Sequence, residues 1–240
     1  MKVEADYLFI AGDTIEAKWF EFAMNPNSGK FGEAQKLVEF FQELSKHYYG
    51  VYVIMGNHEH YYGMMDNTLE TMNDFFKLYG MSNTLAVENE FFMLNEKLVF
   101  AGTGWTDMGG PNNYWYVKNG MNDFRLIRKA GYSRFSPEDA VRLHVEFLNR
   151  IKAVKPDVIL MHHAPTAQSI HPHYAGDTLN GAYYSQAMEN VLAKWSKPLI
   201  IVHGHTHYPV DYMFGDNVRV VSNPKGYGHL EQFKLGVFDV

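Results

Sequence analysis

Four short apolar runs in this chain break off at residues able to hold a metal ion. Leu8-Phe9-Ile10-Ala11 leads into Gly12-Asp13, and Val51-Tyr52-Val53-Ile54-Met55 leads into Gly56-Asn57-His58-Glu59. Val158-Ile159-Leu160-Met161 leads into His162-His163, and Leu199-Ile200-Ile201-Val202 leads into His203-Gly204-His205-Thr206-His207. Runs of this length read as buried strands, and open α/β sheets bind their ligands beyond the carboxyl ends of the strands. The repetition predicts strands of one sheet converging on one metal centre.

The ligand types narrow the chemistry. Asp13 offers a carboxylate able to bridge two cations, Asn57 a neutral amide oxygen, and His162, His205 and His207 imidazole nitrogens. Mixed nitrogen and oxygen ligation without sulfur suits Mn, Fe, Zn, Ni or Co better than Cu(I) and does not select among them. His205 and His207 follow Gly204 on a turn, from which they reach either two metals or one metal from two directions. With Asp13 as the only full negative ligand, a divalent site stays positive and attracts an anion such as phosphate. The metal lowers the pKa of bound water from about 15.7 towards about 7, so a metal-bound hydroxide becomes available as nucleophile. His58, next to Asn57, is placed to protonate a leaving oxygen or to stabilise the transition state. Glu16, three residues after Asp13, is expected to orient His58.

The bulk properties exclude other chemistries. There is no cysteine, so disulfides, thiolate catalysis and cysteine-bound zinc are absent. The formal net charge of −6 disfavours broad binding to nucleic acid but leaves room for a local positive pocket. No apolar run reaches membrane-spanning length, and the first residues lack a signal peptide's basic-then-apolar layout, so a cytoplasmic protein is expected. The 240 residues suffice for one large core, and residues 1–240 are expected to form a single domain.

Strands and helices alternate. An amphipathic helix is expected near 33–46 and a further helix near 69–78, with a hairpin joining 91–94 to 98–101 across Asn95-Glu96-Lys97. Gly102 to Phe135 is rich in Gly, Asn, Trp and Tyr, which predicts a functional loop or lid. Ser136-Pro137-Glu138-Asp139 is a helix start: Ser caps, Pro takes the first helical position and the acids face the positive end of the dipole. A second loop is expected over 164–184, then a helix near 186–195. Short strands are expected near Tyr212, over 218–221 and over 235–238, with a hairpin turn at Gly215-Asp216-Asn217.

The ordered blocks Gly12-Asp13, Gly56-Asn57-His58-Glu59, His162 and Gly204-His205-Thr206-His207 closely resemble the calcineurin-like metallophosphoesterases. That superfamily of binuclear phosphatases and phosphodiesterases carries five blocks: D-x-H, G-D, G-N-H-[ED], a strand-terminal His and G-H-x-H. Gly104-Trp105-Thr106-Asp107, Met121-Asn122-Asp123-Phe124-Arg125, His162-His163-Ala164-Pro165, the run from His171 to Asp177 and the run from Asn223 to Gly228 are similar to a bacterial and phage branch. The resemblance implies an α/β fold, a four-layer α/β/β/α sandwich of two mixed sheets with helices outside. It also implies that Asp13 bridges the metals, that Asn57, His162 and His205 complete one site, and that His207 belongs to the other. It favours His162 over His163 as the ligand, leaving His163 to line the substrate pocket or to bond to backbone. Arg125 is either a phosphate-binding fork or a structural ion-pair partner. The group Tyr114-Trp115-Tyr116 either stacks on a base or anchors a packed loop.

One block departs from the pattern. No D-x-H precedes Asp13, so the chain is expected to be N-terminally truncated, to lack the first strand of the fold and to hold one ion as it stands. Two ions are expected where a native N-terminal block is present. The leading expectation is metal-dependent hydrolysis of a phosphate monoester or diester, with a small phosphate ester or nucleotide as substrate. The competing expectations are a weakly active metal-binding relic that works through protein contacts, and a nuclease, which the acidic charge disfavours.

Overall fold

The structure is a computed structural model that describes residues 4–225 and 236–237. Three strands, β1 (Tyr7–Ile10), β2 (Gly50–Ile54) and β3 (Thr84–Val87), form a sheet in that order, parallel throughout. Parallel neighbours need crossover connections. Helices α1 (Lys18–Met24) and α2 (Phe31–His47) supply the first, and α3 (Met65–Leu78) the second.

A larger, mixed sheet takes the order β4-β5-β6-β7-β9-β8. Its strands are β4 (Glu90–Leu94), β5 (Lys97–Gly102), β6 (Val158–Met161), β7 (Leu199–His203), β8 (Val210–Phe214) and β9 (Val218–Ser222). Parallel pairing joins β5, β6, β7 and β9, and antiparallel hairpins close both edges. The unbroken apolar run of β6 follows from its place: all four residues are buried, as expected of a strand covered on both faces.

The sheets pack face to face through Ile54 and Val87 on one side and Ala101 and Leu160 on the other. Tyr52 and Phe92 stack across the seam with ring centroids 4.5 Å apart. On the outer face of the small sheet, α1, α2 and α3 bury Phe20, Phe41 and Phe75 in one cluster. On the outer face of the large sheet lie α6 (Pro137–Val154) and α7 (Gln186–Leu192), which contribute Phe147, Ile151, Met188 and Leu192. The expected α/β/β/α layering is therefore observed.

Several local expectations are revised. The hairpin turn has two residues, because Lys97 pairs with Leu94; Asn95 and Glu96 both take positive φ, the turn that matches strand twist. The stretch after Gly102 is no open loop. It folds into α4 (Tyr114–Gly120) and α5 (Asp123–Leu126) around its own core of Trp105, Val117, Phe124, Ile127 and Phe135. Helix α1 and strand β3 had no clear periodic signal, being seven and four residues long. Ser136 caps α6 as expected, in a reciprocal capping box with Asp139. Of the expected strand over 235–238, Leu235 and Phe238 lie outside the described residues, as do residues 226–228 of the last resembling run. Among the described residues, no helix is long and apolar enough to cross a membrane.

One polar contact ties the two sheets beside the strand ends. Thr103, just past β5, places its Oγ1 2.9 Å from the Met55 carbonyl and 2.8 Å from the Glu88 carboxylate, which also accepts from Thr103 N at 2.9 Å. Burial pushes Glu88 up to about 7, against the pull of these bonds from Thr103. Below the ordinary value of 4.5 both folded and unfolded chains hold the proton, so the cost is zero there. As pH rises from about 4.5 to about 7 the unfolded chain loses its proton first, and stability falls. Glu88→Gln should therefore stabilise the protein relative to wild type by about 2 kcal/mol above pH 7, allowing for the partial exposure of the residue, and by nothing near pH 4. Urea unfolding at a series of pH values measures it; a difference independent of pH refutes it.

Candidate metal centre

The carboxyl ends of β1 and β2 from the small sheet and of β6 and β7 from the large one meet at one point, so the four runs belong to two sheets and not to one as expected, and the backbone there is shaped for close approach. Gly12 has φ +83°, and a Cβ on it would stand 2.6 Å from both Gly56 N and His162 Nδ1. Only glycine fits. Asp13 and His205 also take positive φ, which turns each side chain back over the strand ends.

A buried carboxylate clamps the first two loops together. Glu59 is fully buried and accepts from the backbone amides of Gly56 at 2.7 Å, Asp13 at 2.9 Å and Thr14 at 2.6 Å. Burial and then the nearby Asp13 charge push Glu59 up to about 7, opposed by His162 and by the amides. His58 N adds a bond of 3.0 Å to Asp13 Oδ1.

The ligand atoms are then fixed by their outer partners. His162 Nδ1 donates to the Ala11 carbonyl at 2.7 Å, which leaves a lone pair on Nε2. That Nε2 lies 3.1 Å from Asn57 Oδ1, 3.1 Å from His205 Nδ1 and 3.3 Å from Asp13 Oδ1. Asn57 is oriented from behind. Its Nδ2 donates to Asp123 Oδ1 at 2.8 Å and to Tyr61 Oη at 3.0 Å, while Tyr61 donates to the same carboxylate at 2.6 Å. The amide oxygen must therefore face His162.

Electron-rich atoms converge with no proton donor between them unless His162 takes a second proton. Burial pushes His162 down, but the adjacent Asp13 carboxylate outweighs it and holds the ring above its ordinary value. Burial likewise raises Asp13, yet the His162 charge and hydrogen bond, helped by His205 and His58, drive it far below the carboxylate range. A cation relieves the same clash. Ligands about 2.1 Å from an ion, at tetrahedral or octahedral angles, stand about 3.0–3.4 Å apart, which is the spacing found here. Asp13, His162 and His205 bring ligand atoms within 4.8 Å of one another. The donor set and spacing fit a divalent metal of the nitrogen-and-oxygen class.

The other expected residues fall around this point. His58 is half-exposed at the rim, with Nε2 4.0 Å from Asp13 Oδ2 and its ring stacked on Tyr61 at 4.5 Å. His163 is buried and turned to backbone, its Nδ1 3.3 Å from the Thr103 carbonyl. Its Nε2 has no partner, and burial followed by the His162 charge pushes it down to about 3, so the ring is neutral. His207 is exposed and outside the converging group, although it feels the Asp13 charge. Glu16 makes its ion pair with Lys18 at 3.8 Å, and Tyr61 is the residue placed against His58. Arg125 bonds to Asn122 and lines a different cavity. Sequence reasoning missed Glu59, Tyr61 and Asp123 as supports, although Glu59 and Asp123 both stood inside recognised blocks.

The family model for calcineurin-like phosphoesterases matches residues 2–209. The chain belongs to this family. It is a phosphoric ester hydrolase of the metal-dependent kind. A mimivirus protein from Acanthamoeba polyphaga mimivirus, Uncharacterized protein L509, is 26% identical over 246 residues, covering 92% of this chain and 86% of the relative. The crystal structure of the phosphopantetheinyl hydrolase PptH from Mycobacterium tuberculosis superposes with a TM-score of 0.61, covering 95% of this chain and 82% of the other at 15% identity. That likeness concerns the fold.

Outer partners of metal ligands commonly govern affinity by about 10–100-fold. Asp123→Asn, which keeps the shape but removes the charge that orients Asn57, should weaken Mn binding by that factor in calorimetric titration. Unchanged affinity would show that Asn57 takes no part in binding.

Proposed function

We propose that Asp13, Asn57, His162 and His205 together hold one divalent ion, with Mn favoured, and that phosphate-ester hydrolysis takes place on its open side. The observation that carries this reading is the convergence of four acceptor atoms, of which those of Asp13, Asn57 and His162 are held by hydrogen bonds to residues outside the group. When bound, such an ion supplies Lewis acidity towards a phosphoryl oxygen and an acidified water as nucleophile.

The chain's own residues do the rest. Because Asp13 is the one full negative charge among the residues that would hold it, a divalent ion would keep a net positive charge there and draw a phosphate group to the rim. His58, half-exposed and anchored through its own backbone N–H to Asp13, stands where a leaving oxygen departs and can donate a proton to it. Buried His163, held to the Thr103 carbonyl, presents a neutral unpaired nitrogen beside His205, at a ring separation of 4.4 Å. It excludes water from the inner side of the centre. The substrate class is a small phosphate ester or nucleotide. A net charge of −6 weighs against a nucleic acid backbone.

The test uses the Mn-loaded protein with p-nitrophenyl phosphate and its bis-ester; the ratio of the two rates separates monoesterase from diesterase. His58→Ala should lower kcat by about 10²–10⁴ with metal content unchanged. Asp13→Asn should lose both metal and activity. Elemental analysis should give one ion per chain. No hydrolysis of either ester, together with an Asp13→Asn protein that retains its metal, would overturn the proposal and favour a non-catalytic role.

A further inference from the structure

A cavity of about 440 Å³ opens between α4, α5 and the start of α6. None of the converging metal-centre residues lines it. Its floor is aromatic: Phe124 and Phe135 are buried and stack with centroids 5.9 Å apart at 14°. Its walls carry Lys118, Arg125 and Arg134, all exposed, and the amide of Asn119. Three cations at one opening run against the sign of a chain whose net charge is −6.

Among the described residues, none of these three cations forms an ion pair. Among the described residues, the ion pairs of this region go elsewhere: Lys129 takes Asp139, and Arg142 takes Glu146. Arg125 bonds only to the neutral Asn122 side chain. Lys118 reaches Glu138 electrostatically, without an ion pair. No acid lines the cavity. Two guanidinium forks and an ammonium around one opening match the several oxygens of a phosphate group.

An exposed aromatic stands beside them. Trp115 lies three and four residues before Lys118 and Asn119 on α4, so it shares their helical face. It is 69% exposed, and Asn119 Nδ2 bonds to its carbonyl at 2.6 Å. Burial as a packed anchor therefore fails to explain Trp115, whereas Tyr114 on the same helix does join the local core. A large indole held one turn from a cationic opening is the arrangement that stacks a base while its phosphate is bound.

We propose that the α4–α5–α6 cavity is a nucleotide-binding site separate from the metal centre, with the phosphate held by Lys118, Arg125 and Arg134 and the base stacked on Trp115. The site shares one element with the centre. Asp123 opens α5 and holds Asn57, while Arg125, two residues on and so on the opposite side of that turn, faces the cavity.

The experiment titrates AMP and, separately, inorganic phosphate into the Mn-loaded full chain by calorimetry. The same titrations are run on Asp13→Asn, and on Lys118→Ala/Arg134→Ala and Trp115→Leu with and without it. The exposed variants leave the core intact, which the urea midpoint verifies. AMP should still bind Asp13→Asn, which lacks the metal centre, and the affinity measured in that background is the one compared below. Lys118→Ala/Arg134→Ala should weaken it by about tenfold or more, as expected for lost charge-assisted bonds. With Asp13 in place, its hydrolysis of bis-p-nitrophenyl phosphate should match wild type, and Trp115→Leu should weaken AMP but not inorganic phosphate. Loss of AMP binding in Asp13→Asn alone would place the nucleotide at the metal centre and overturn the proposal. So would indifference of AMP to Lys118→Ala/Arg134→Ala, or no binding at millimolar concentration. Equal affinity for AMP and phosphate would overturn the nucleotide assignment. Because bis-ester hydrolysis is read separately, failure here leaves the metal-centre reading standing.

Discussion

The bond from His162 Nδ1 to the Ala11 carbonyl carries more of this structure than its length of 2.7 Å implies. His162 follows β6 in the large sheet, and Ala11 follows β1 in the small one. Apolar packing between the sheets is non-directional, so it can press them together but cannot set how one slides over the other. A hydrogen bond between their strand ends sets that relation. The same bond puts the imidazole proton on Nδ1 and so aims the Nε2 lone pair at the metal position. Fold geometry and side-chain chemistry thus meet in this bond, which acts beside the Thr103 bond to the Met55 carbonyl that also crosses between the sheets.

Around that bond the protein concentrates polar groups that would be costly if left alone in the interior. Glu59 ties the loops after β1 and β2 through three amides, and Thr103 bridges the Met55 carbonyl and Glu88. On the far side, His203 places Nε2 2.8 Å from Ser169 Oγ, which in turn meets Tyr212 at 2.9 Å. That network fixes the end of β7 just before the turn that presents His205. Every strand end that offers a ligand therefore has its own polar restraint. These restraints hold the strand ends that carry Asp13, Asn57 and His162 close together.

The four strands and the polar residues at their ends were legible because their signals are local, whereas their division between two sheets was not. A run such as Val158 to Met161 is buried on both faces, so it is apolar throughout, and the ligand at its end is conspicuous. Helix α2 carries a clear apolar period, and Ser136-Pro137 announces the start of α6. The supports were not legible, since their partners lie far along the chain: Asp123 is 66 residues from Asn57, and Glu59 is 46 from Asp13. Glu59 looked like a motif position without a task, and Glu16 looked available because only spacing was considered. In the structure Glu16 lies within reach of Lys18, whereas Tyr61 packs on His58. Strand β3 escaped notice because only four residues pair there, and Leu85 among them is exposed.

The segment from Gly102 to Phe135 shows a deeper limit of composition. Gly, Asn, Trp and Tyr in one stretch describe a mobile lid and a compact subdomain equally well, because both need turns and aromatics. What separates them is whether the aromatics meet. Here Trp105 packs on Phe135 at 4.6 Å and on His163 at 5.0 Å, and Phe124 stacks on Phe135. The segment is thereby a solid wall of the metal centre, with Asp123 facing inward to Asn57 and the cationic cavity facing outward. A single turn of helix serves both faces, so displacing α5 from outside would move the residue that aims Asn57. That coupling follows from side-chain direction on a 3.6-residue turn and requires no hinge or disordered segment.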